Sequence, residues 1–204
     1  MKSHWEDIYA TKEPDQVSWT QEKPTTSLDF IRSFDLPKTA KIIDVGGGDS
    51  RLVDFLLDEG YQNLTVLDIS ENALKRAKAR LGDKANSVTW IVSDIKEFEP
   101  TEKYDFWHDR AAFHFLTTEN EVKKYVTIIS DAVDGYLTIG TFSEKGPLKC
   151  SGLPIRQYSE QTLNQEVSSS FDKIRCQTED HITPFGTTQN FIFCSFKKRK
   201  PSIS

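Results

Sequence analysis

The chain has 204 residues, 37% of them hydrophobic and 28% charged, as expected for one soluble-type domain with a sizeable core. Its formal charge of −5 gives no reason to expect non-specific nucleic-acid binding, and no apolar run is long enough to cross a bilayer. The opening "MKSHWEDIYATKE" is polar and acidic, unlike a secretory or transit peptide. Three cysteines, Cys150, Cys176 and Cys194, lack metal-type spacing, so a reducing compartment and a cytoplasmic location are expected.

In chain order, "KIIDV" (41–45) reads as a buried strand. It runs into three glycines and then "SRLVDFLLDEG", where Leu52, Phe55 and Leu56 recur at helical spacing and Gly60 stops the helix. "LTVLD" (64–68) is the second strand. "SENALKRAKARLG" is a helix with Ser70 as N-cap and Gly82 as its stop. "VTWIVSD" and "KYDFWHD" are the third and fourth strands. The helical stretch "ENEVKKYVTIISDAV" then leads to a fifth, "YLTIGTF" (136–142).

The last third differs. A weaker helix, "EQTLNQEVSSS", precedes two strand-like segments, "FDKIRCQTED" and "TQNFIFCSF", joined by a turn at Pro184 and Gly186. The pattern predicts an α/β fold: a Rossmann-like doubly wound sheet of seven strands with helices on both faces. It is mostly parallel and closes with a C-terminal antiparallel hairpin. The tail "KKRKPSIS" is expected to fray. Its basic run also fits a nuclear signal.

In an open α/β sheet, ligands gather beyond the carboxyl ends of the strands. Gly46, Gly47 and Gly48 stand there after the first strand, where missing side chains permit tight turning and close approach to a ligand. Gly46 and Gly48 form a G-x-G, but Arg51 occupies the third-glycine position of a dinucleotide fingerprint, and Asp49 would repel a phosphate. A nicotinamide dehydrogenase is therefore disfavoured. Asp68 ends the second strand, placed to accept hydrogen bonds from a ribose diol. Asp94 ends the third, placed for an adenine amino group, and Asp44 can meet a cationic amine. Singly, each acid also reads as a strand-end cap or solvated turn residue. Together with the glycines they suit a ligand with a ribose, a base and a positive centre but no phosphate, as S-adenosylmethionine is.

"DVGGGDS", "VLDIS" and "VSDI", in this order, resemble the cofactor motifs of class I S-adenosylmethionine-dependent methyltransferases over roughly residues 38–142. The resemblance implies that Asp68, with Ile69 beside it, holds the ribose, and that Asp94 and Ile95 flank the adenine. It also implies that Trp5, Tyr9 and Trp19 form a lid over the methionine end, where aromatic faces suit a sulfonium. An ordinary hydrophobic packing of the N-terminal helix accounts for the same aromatics. On this view residues 1–204 form a single methyltransferase domain: 1–37 a lid with helices, 38–142 the cofactor-binding core, 143–197 an acceptor loop and C-terminal hairpin, and 198–204 a basic tail.

The acceptor is less legible. "WHDRAAFHFL" (107–116) is similar to the corresponding segment of thiopurine-type methyltransferases and also of eukaryotic lysine methyltransferases. These imply a small thiol or an amine on a protein, respectively. Asp109, His108 and His114 are the candidate bases, against the alternatives of an Arg110 pair or cap and packed histidines. The long segment 140–159 offers Cys150, Arg156, Gln157 and Tyr158 as further contacts. An arsenite acceptor lacks the cysteine pattern it needs. The expected function is methyl transfer from S-adenosylmethionine, yielding S-adenosylhomocysteine, to a small-molecule thiol or amine. The alternatives are a protein-lysine methyltransferase and a non-catalytic S-adenosylmethionine-binding module. No metal and no membrane partner is expected. Nucleic acid is disfavoured because "HDRAAF" stands where a base-flipping motif would follow the fourth strand.

Overall fold

The computed structural model describes residues 1–200, so 201–204 of the basic tail lie outside the described residues. The helices are α1 (Lys2–Thr11), α2 (Thr25–Arg32), α3 (Leu52–Asp58), α4 (Glu71–Leu81), α5 (Glu119–Ala132) and α6 (Glu160–Val167). The strands are β1 (Lys41–Val45), β2 (Asn63–Asp68), β3 (Val88–Val92), β4 (Tyr104–Arg110) and β5 (Val133–Phe142), followed by β6 (Lys149–Cys150), β7 (Leu153–Pro154), β8 (Phe171–Ile182) and β9 (Thr188–Lys198). Lys198, assigned to the frayed tail by sequence, belongs to β9.

Seven strands form one sheet in the order β3-β2-β1-β4-β5-β9-β8, and β6 with β7 makes a separate small hairpin. Strands β1 to β5 pair in parallel. Because β9 is antiparallel to both β5 and β8, β8 again runs in the direction of β1 to β5. The sheet is thus the expected mixed one with a terminal hairpin. The strand order reverses between β1 and β4, which opens a crevice at the carboxyl edge there.

Alternation along the strands divides the core in two. Ile43, Val45 and Trp107 face α5 and α6, packing with Tyr125, Ile129 and Leu163. Ile42 and Phe106 face the other way, onto Leu28 of α2, Leu52 and Leu56 of α3 and Leu74 of α4. A third apolar group lies above the carboxyl edge, where Trp5 and Tyr9 of α1 meet Phe30, Phe115, Phe142 and Phe191.

The helix ends follow their sequence signals. Ser70 Oγ accepts from Ala73 N at α4. Thr118 and Glu121 form a reciprocal capping box at α5. The cysteines differ from expectation: Cys176 and Cys194 are cross-strand partners in the β8–β9 ladder, with Cα atoms 4.1 Å apart, and form a disulfide. Only Cys150 is a free thiol among the described residues, so the cysteines give no argument for a reducing compartment. No helix among the described residues is long and apolar enough to cross a membrane.

Gly140 of β5 packs directly against the hairpin. A Cβ there would stand 2.4 Å from the Phe193 ring, which is itself buried and has nowhere to retreat. Gly140→Ala is expected to cost about 1–3 kcal/mol, the usual price of an overpacked core, measured as a lower urea midpoint at unchanged m-value.

Candidate active site

A cleft of about 780 Å³ opens over the carboxyl edge, in the size range of small-molecule sites. Asp44 forms part of its floor. The carboxylate is buried, and its Oδ1 lies 2.7 Å from His108 Nδ1 on the adjoining strand β4. His108 Nε2 lies 2.9 Å from Ser27 Oγ on α2. A buried carboxylate without partners would be costly, and this chain supplies them. It also uses both nitrogens of His108, so that ring has no free lone pair for a substrate proton.

The same carboxylate accounts for Gly47. A Cβ there would sit 2.7 Å from Asp44 Oδ2 and equally close to Val66 Cγ1. Gly48 has φ +50°, and its Cβ would stand 2.8 Å from the Tyr9 hydroxyl and 3.3 Å from Asp68 Oδ2. Arg80 of α4 clamps the turn from outside. It donates to the carbonyls of Asp49 (2.7 Å) and Ser50 (2.8 Å), and forks onto the Asp54 carboxylate at 2.9 and 2.8 Å.

Asp68 is 6% exposed and lines the cleft, with Ser70 N donating to Oδ1 at 2.8 Å. Burial pushes its carboxyl up to about 7, against the hydrogen bonds from Ser70 and Gly48 N–H. Ile69, Asp94 and Ile95 line the same end. Asp94 Oδ1 accepts from Lys96 N at 3.0 Å and so starts a short 3₁₀ turn over Ile95–Glu97. Of the residues nominated for the cofactor, Asp44, Gly46, Gly47, Asp68, Ile69, Asp94 and Ile95 line this cleft, while Gly48 stands behind the lining against Tyr9 and Asp68.

The aromatics converge too. Trp5, Tyr9 and Trp19 pack mutually, with centroids 5.5 Å apart for Trp5–Trp19 and 6.2 Å for Tyr9–Trp19, and all three line the cleft. Trp5 and Tyr9 are four residues apart and so share one face of α1. Sequence reasoning missed what fastens this helix. Glu6, on the same stretch, accepts from Ser70 Oγ (3.0 Å), Glu71 N (2.8 Å) and Asn72 N (3.1 Å), capping α4 from across the fold. Burial is the largest single influence and raises the Glu6 carboxyl, but these hydrogen bonds together outweigh it and hold the group below its ordinary value.

Two nominated residues do not reach the cleft. Alternation turns Asp109 to the face opposite His108. There it is fully buried, accepting from Ala112 N (3.1 Å), Phe113 N (3.0 Å) and Tyr125 OH (2.9 Å). It holds the loop after β4 rather than a substrate, and burial raises its carboxyl to about 6. His114 is sealed between Phe142, stacked at 4.5 Å, and Phe115. Burial and then the Arg110 cation drive it down to about 3, so it is a neutral packed ring. Within 140–159, Cys150 lines the cleft. Arg156 instead pairs with Glu166 at 2.7 Å, Gln157 binds Gly146 O at 2.6 Å, and Tyr158 is buried in the core.

Arg110 and His181 complete the cleft's other end. Arg110 ends β4, donates from Nη1 to Trp19 O at 3.1 Å, and lies 5.0 Å over the Phe191 ring. His181 lies near the end of β8, with Nε2 2.6 Å from Ser18 O. The rule that found Asp68 and Asp94 at strand ends would have found His181, had β8 been recognised as parallel to β1.

Residues 42–133 match the family described as a methyltransferase domain. The match spans a little under half of the chain, and the Rossmann-like sheet around it is the arrangement seen in methyltransferases of known structure. The chain's curated relatives include a malonyl-[acyl-carrier protein] O-methyltransferase of Anoxybacillus flavithermus, 37% identical over 109 residues, 52% of this chain and 40% of the relative. An eEF1A lysine and N-terminal methyltransferase of Mus musculus is 28% identical over 94 residues, 46% of this chain and 13% of the relative. The chain thus spans less than half the length of these relatives. Among solved structures, N-methyltransferase NodS from Bradyrhizobium japonicum WM9 in complex with S-adenosylhomocysteine superposes with a TM-score of 0.74. At 13% identity the match covers 98% of this chain and 99% of NodS, and it supports the fold alone.

Two outcomes follow for this cleft. A ribose diol donating to Asp68 would stabilise its ionised form, so binding there would lower its pKa and release a proton. Calorimetric S-adenosylhomocysteine affinity is expected to strengthen as pH rises through about 7, by up to about tenfold per pH unit below it. Glu6→Ala removes the tie from α1 to α4. At about 1 kcal/mol for a lost cap, S-adenosylhomocysteine should bind roughly fivefold more weakly at pH 8.

Proposed function

We propose that this chain transfers a methyl group from S-adenosylmethionine to a small molecule bearing a protic nucleophile such as a thiol or amine. The observation carrying this reading is that one roofed cleft joins the nominated cofactor wall to a second, chemically distinct end. The roof is α1 and the segment after it, with Trp5, Tyr9 and Trp19, and it leaves a volume of small-molecule size. The 143–158 loop contributes less cover than its length suggests, mainly Cys150.

The residues present fit the cofactor. Asp68 would take the ribose diol, Ile69 and Ile95 would sandwich an adenine whose amino group meets Asp94, and Asp44 at the glycine turn would face the amine. Trp5, Tyr9 and Trp19 would cover the sulfonium end. When bound, S-adenosylmethionine supplies an electrophilic methyl group. The chain's part is to position the acceptor in line, exclude water and manage the acceptor's proton.

A protein acceptor is the second reading. It draws on Ile182 and Phe185, which are 61% and 59% exposed beside the cleft's hairpin rim, and on the lysine-methyltransferase relative.

The test is calorimetric titration of S-adenosylhomocysteine into wild type and Asp68→Ala, followed by a methyl-transfer screen of small thiols, amines and whole proteins. Micromolar binding that weakens at least about 100-fold in the variant, with transfer to small molecules, is expected, since a lost bidentate contact is worth a few kcal/mol. Folded wild type that ignores the ligand overturns the methyltransferase reading, and transfer to proteins alone overturns the small-molecule acceptor.

A further inference from the structure

We infer that His181 Nδ1 is the general base of the methyl transfer, and that its acceptor is a neutral protic nucleophile, a thiol or hydroxyl. The inference rests on the methyltransferase reading and deepens it by naming the acceptor chemistry. It begins with a tautomer. Nε2 of His181 lies 2.6 Å from the Ser18 carbonyl, and a carbonyl only accepts, so Nε2 carries the hydrogen. In the neutral ring the lone pair is then on Nδ1. The ring is 4% exposed, stands edge-on to Phe191 at 6.1 Å, and forms part of the cleft wall.

The groups around it decide its protonation. Arg110 approaches from β4, Glu179 from its own strand, and Cys150 contributes a neutral thiol to the same wall from β6. Burial and then the Arg110 cation hold the imidazole below its ordinary value, while the Ser18 hydrogen bond and Glu179 oppose them. At pH 7 the ring is neutral and can take a proton. The other two buried histidines cannot, since His108 has both nitrogens engaged and His114 is sealed among phenylalanines.

Arg110 also selects the acceptor. Its guanidinium is desolvated at the cleft wall, with Nη1 given to Trp19 O and no protein partner for Nε or Nη2. A cation so placed favours a nucleophile that gains negative charge as its proton leaves, and repels an ammonium. A carboxylate, already ionised, has no proton for Nδ1 to take.

The step balances. A lone pair on the acceptor sulfur or oxygen forms the bond to the methyl carbon, and the carbon–sulfur bond of the sulfonium breaks with its pair going to sulfur. The acceptor proton passes to Nδ1. One positive charge, on the sulfonium before and on the imidazolium after, is conserved, and the imidazolium later loses its proton to solvent.

Two measurements test this, both on the full chain. In ¹⁵N spectra of protein loaded with S-adenosylhomocysteine, His181 should show the Nε2–H tautomer and titrate below the ordinary histidine value of about 6.5. The opposite tautomer, or a midpoint above it, overturns the proposal. In the second, 2-mercaptoethanol and phenol serve as protic probes beside benzylamine. Wild type should methylate a protic probe faster than the amine, with kcat rising through the His181 midpoint. His181→Gln should lower kcat by about 100-fold or more, leave S-adenosylhomocysteine affinity within about twofold, and abolish that acid limb. Unchanged kcat in the variant, preference for benzylamine, or no transfer to either protic probe by protein that binds S-adenosylhomocysteine overturns it. If the variant does not fold, the tautomer of the wild type still decides. Failure of the wild type to bind S-adenosylhomocysteine overturns the underlying methyltransferase reading instead.

Discussion

The 2.7 Å contact between Asp44 and His108 joins β1 to β4 at the point where the strand order reverses, and much of the cleft is arranged around it. It places a carboxylate in a nearly dry interior, which is tolerable only with fixed partners, and Ser27 of α2 closes the chain of hydrogen bonds. With Asp44 held there, the turn after β1 has no room for a side chain at Gly47. The turn's shape then determines what can meet it: Arg80 from the solvent side, Tyr9 from above and Asp68 from the neighbouring strand. One buried ion thus propagates into the geometry of three elements.

The roof is attached by polar contacts and apolar ones of different kinds. Trp5 and Tyr9 give α1 its apolar footing, yet an aromatic face alone fixes neither rotation nor register. Glu6 does so, by docking on the exposed N–H groups that begin α4, where a helix terminus favours negative charge. Further along, the segment after α1 crosses the sheet's carboxyl edge toward the hairpin, and Gln21 reaches Glu179 at 3.2 Å. The two ends of the cleft are therefore bridged by a single stretch of N-terminal chain.

Much of this was legible in the sequence, for a definable reason. Strand period, helical spacing and caps such as Ser70 are local, so the strands and helices of residues 41–142 could be followed, and so could the acids at strand ends. Side-chain choice at the acceptor end is not local. His108 and Asp109 are adjacent in sequence, but the pleat sends one to α2 and the other to Tyr125, and neither offers the cleft a free proton acceptor. Arg80, Glu6 and Ser27 act on partners 26 to 81 positions away, beyond any motif window. The disulfide was hidden likewise, since only the β8–β9 register brings Cys176 and Cys194 opposite one another.

The carbonyls of Ser18 and Trp19 are consecutive, and they serve different masters: one orients the His181 ring, the other the Arg110 guanidinium. Neither carbonyl belongs to the sheet. Both arrive with the N-terminal crossover, so a substitution that displaced this stretch would free the imidazole and the guanidinium together. The orientation of these two side chains therefore depends on one stretch of N-terminal chain and not on the sheet alone.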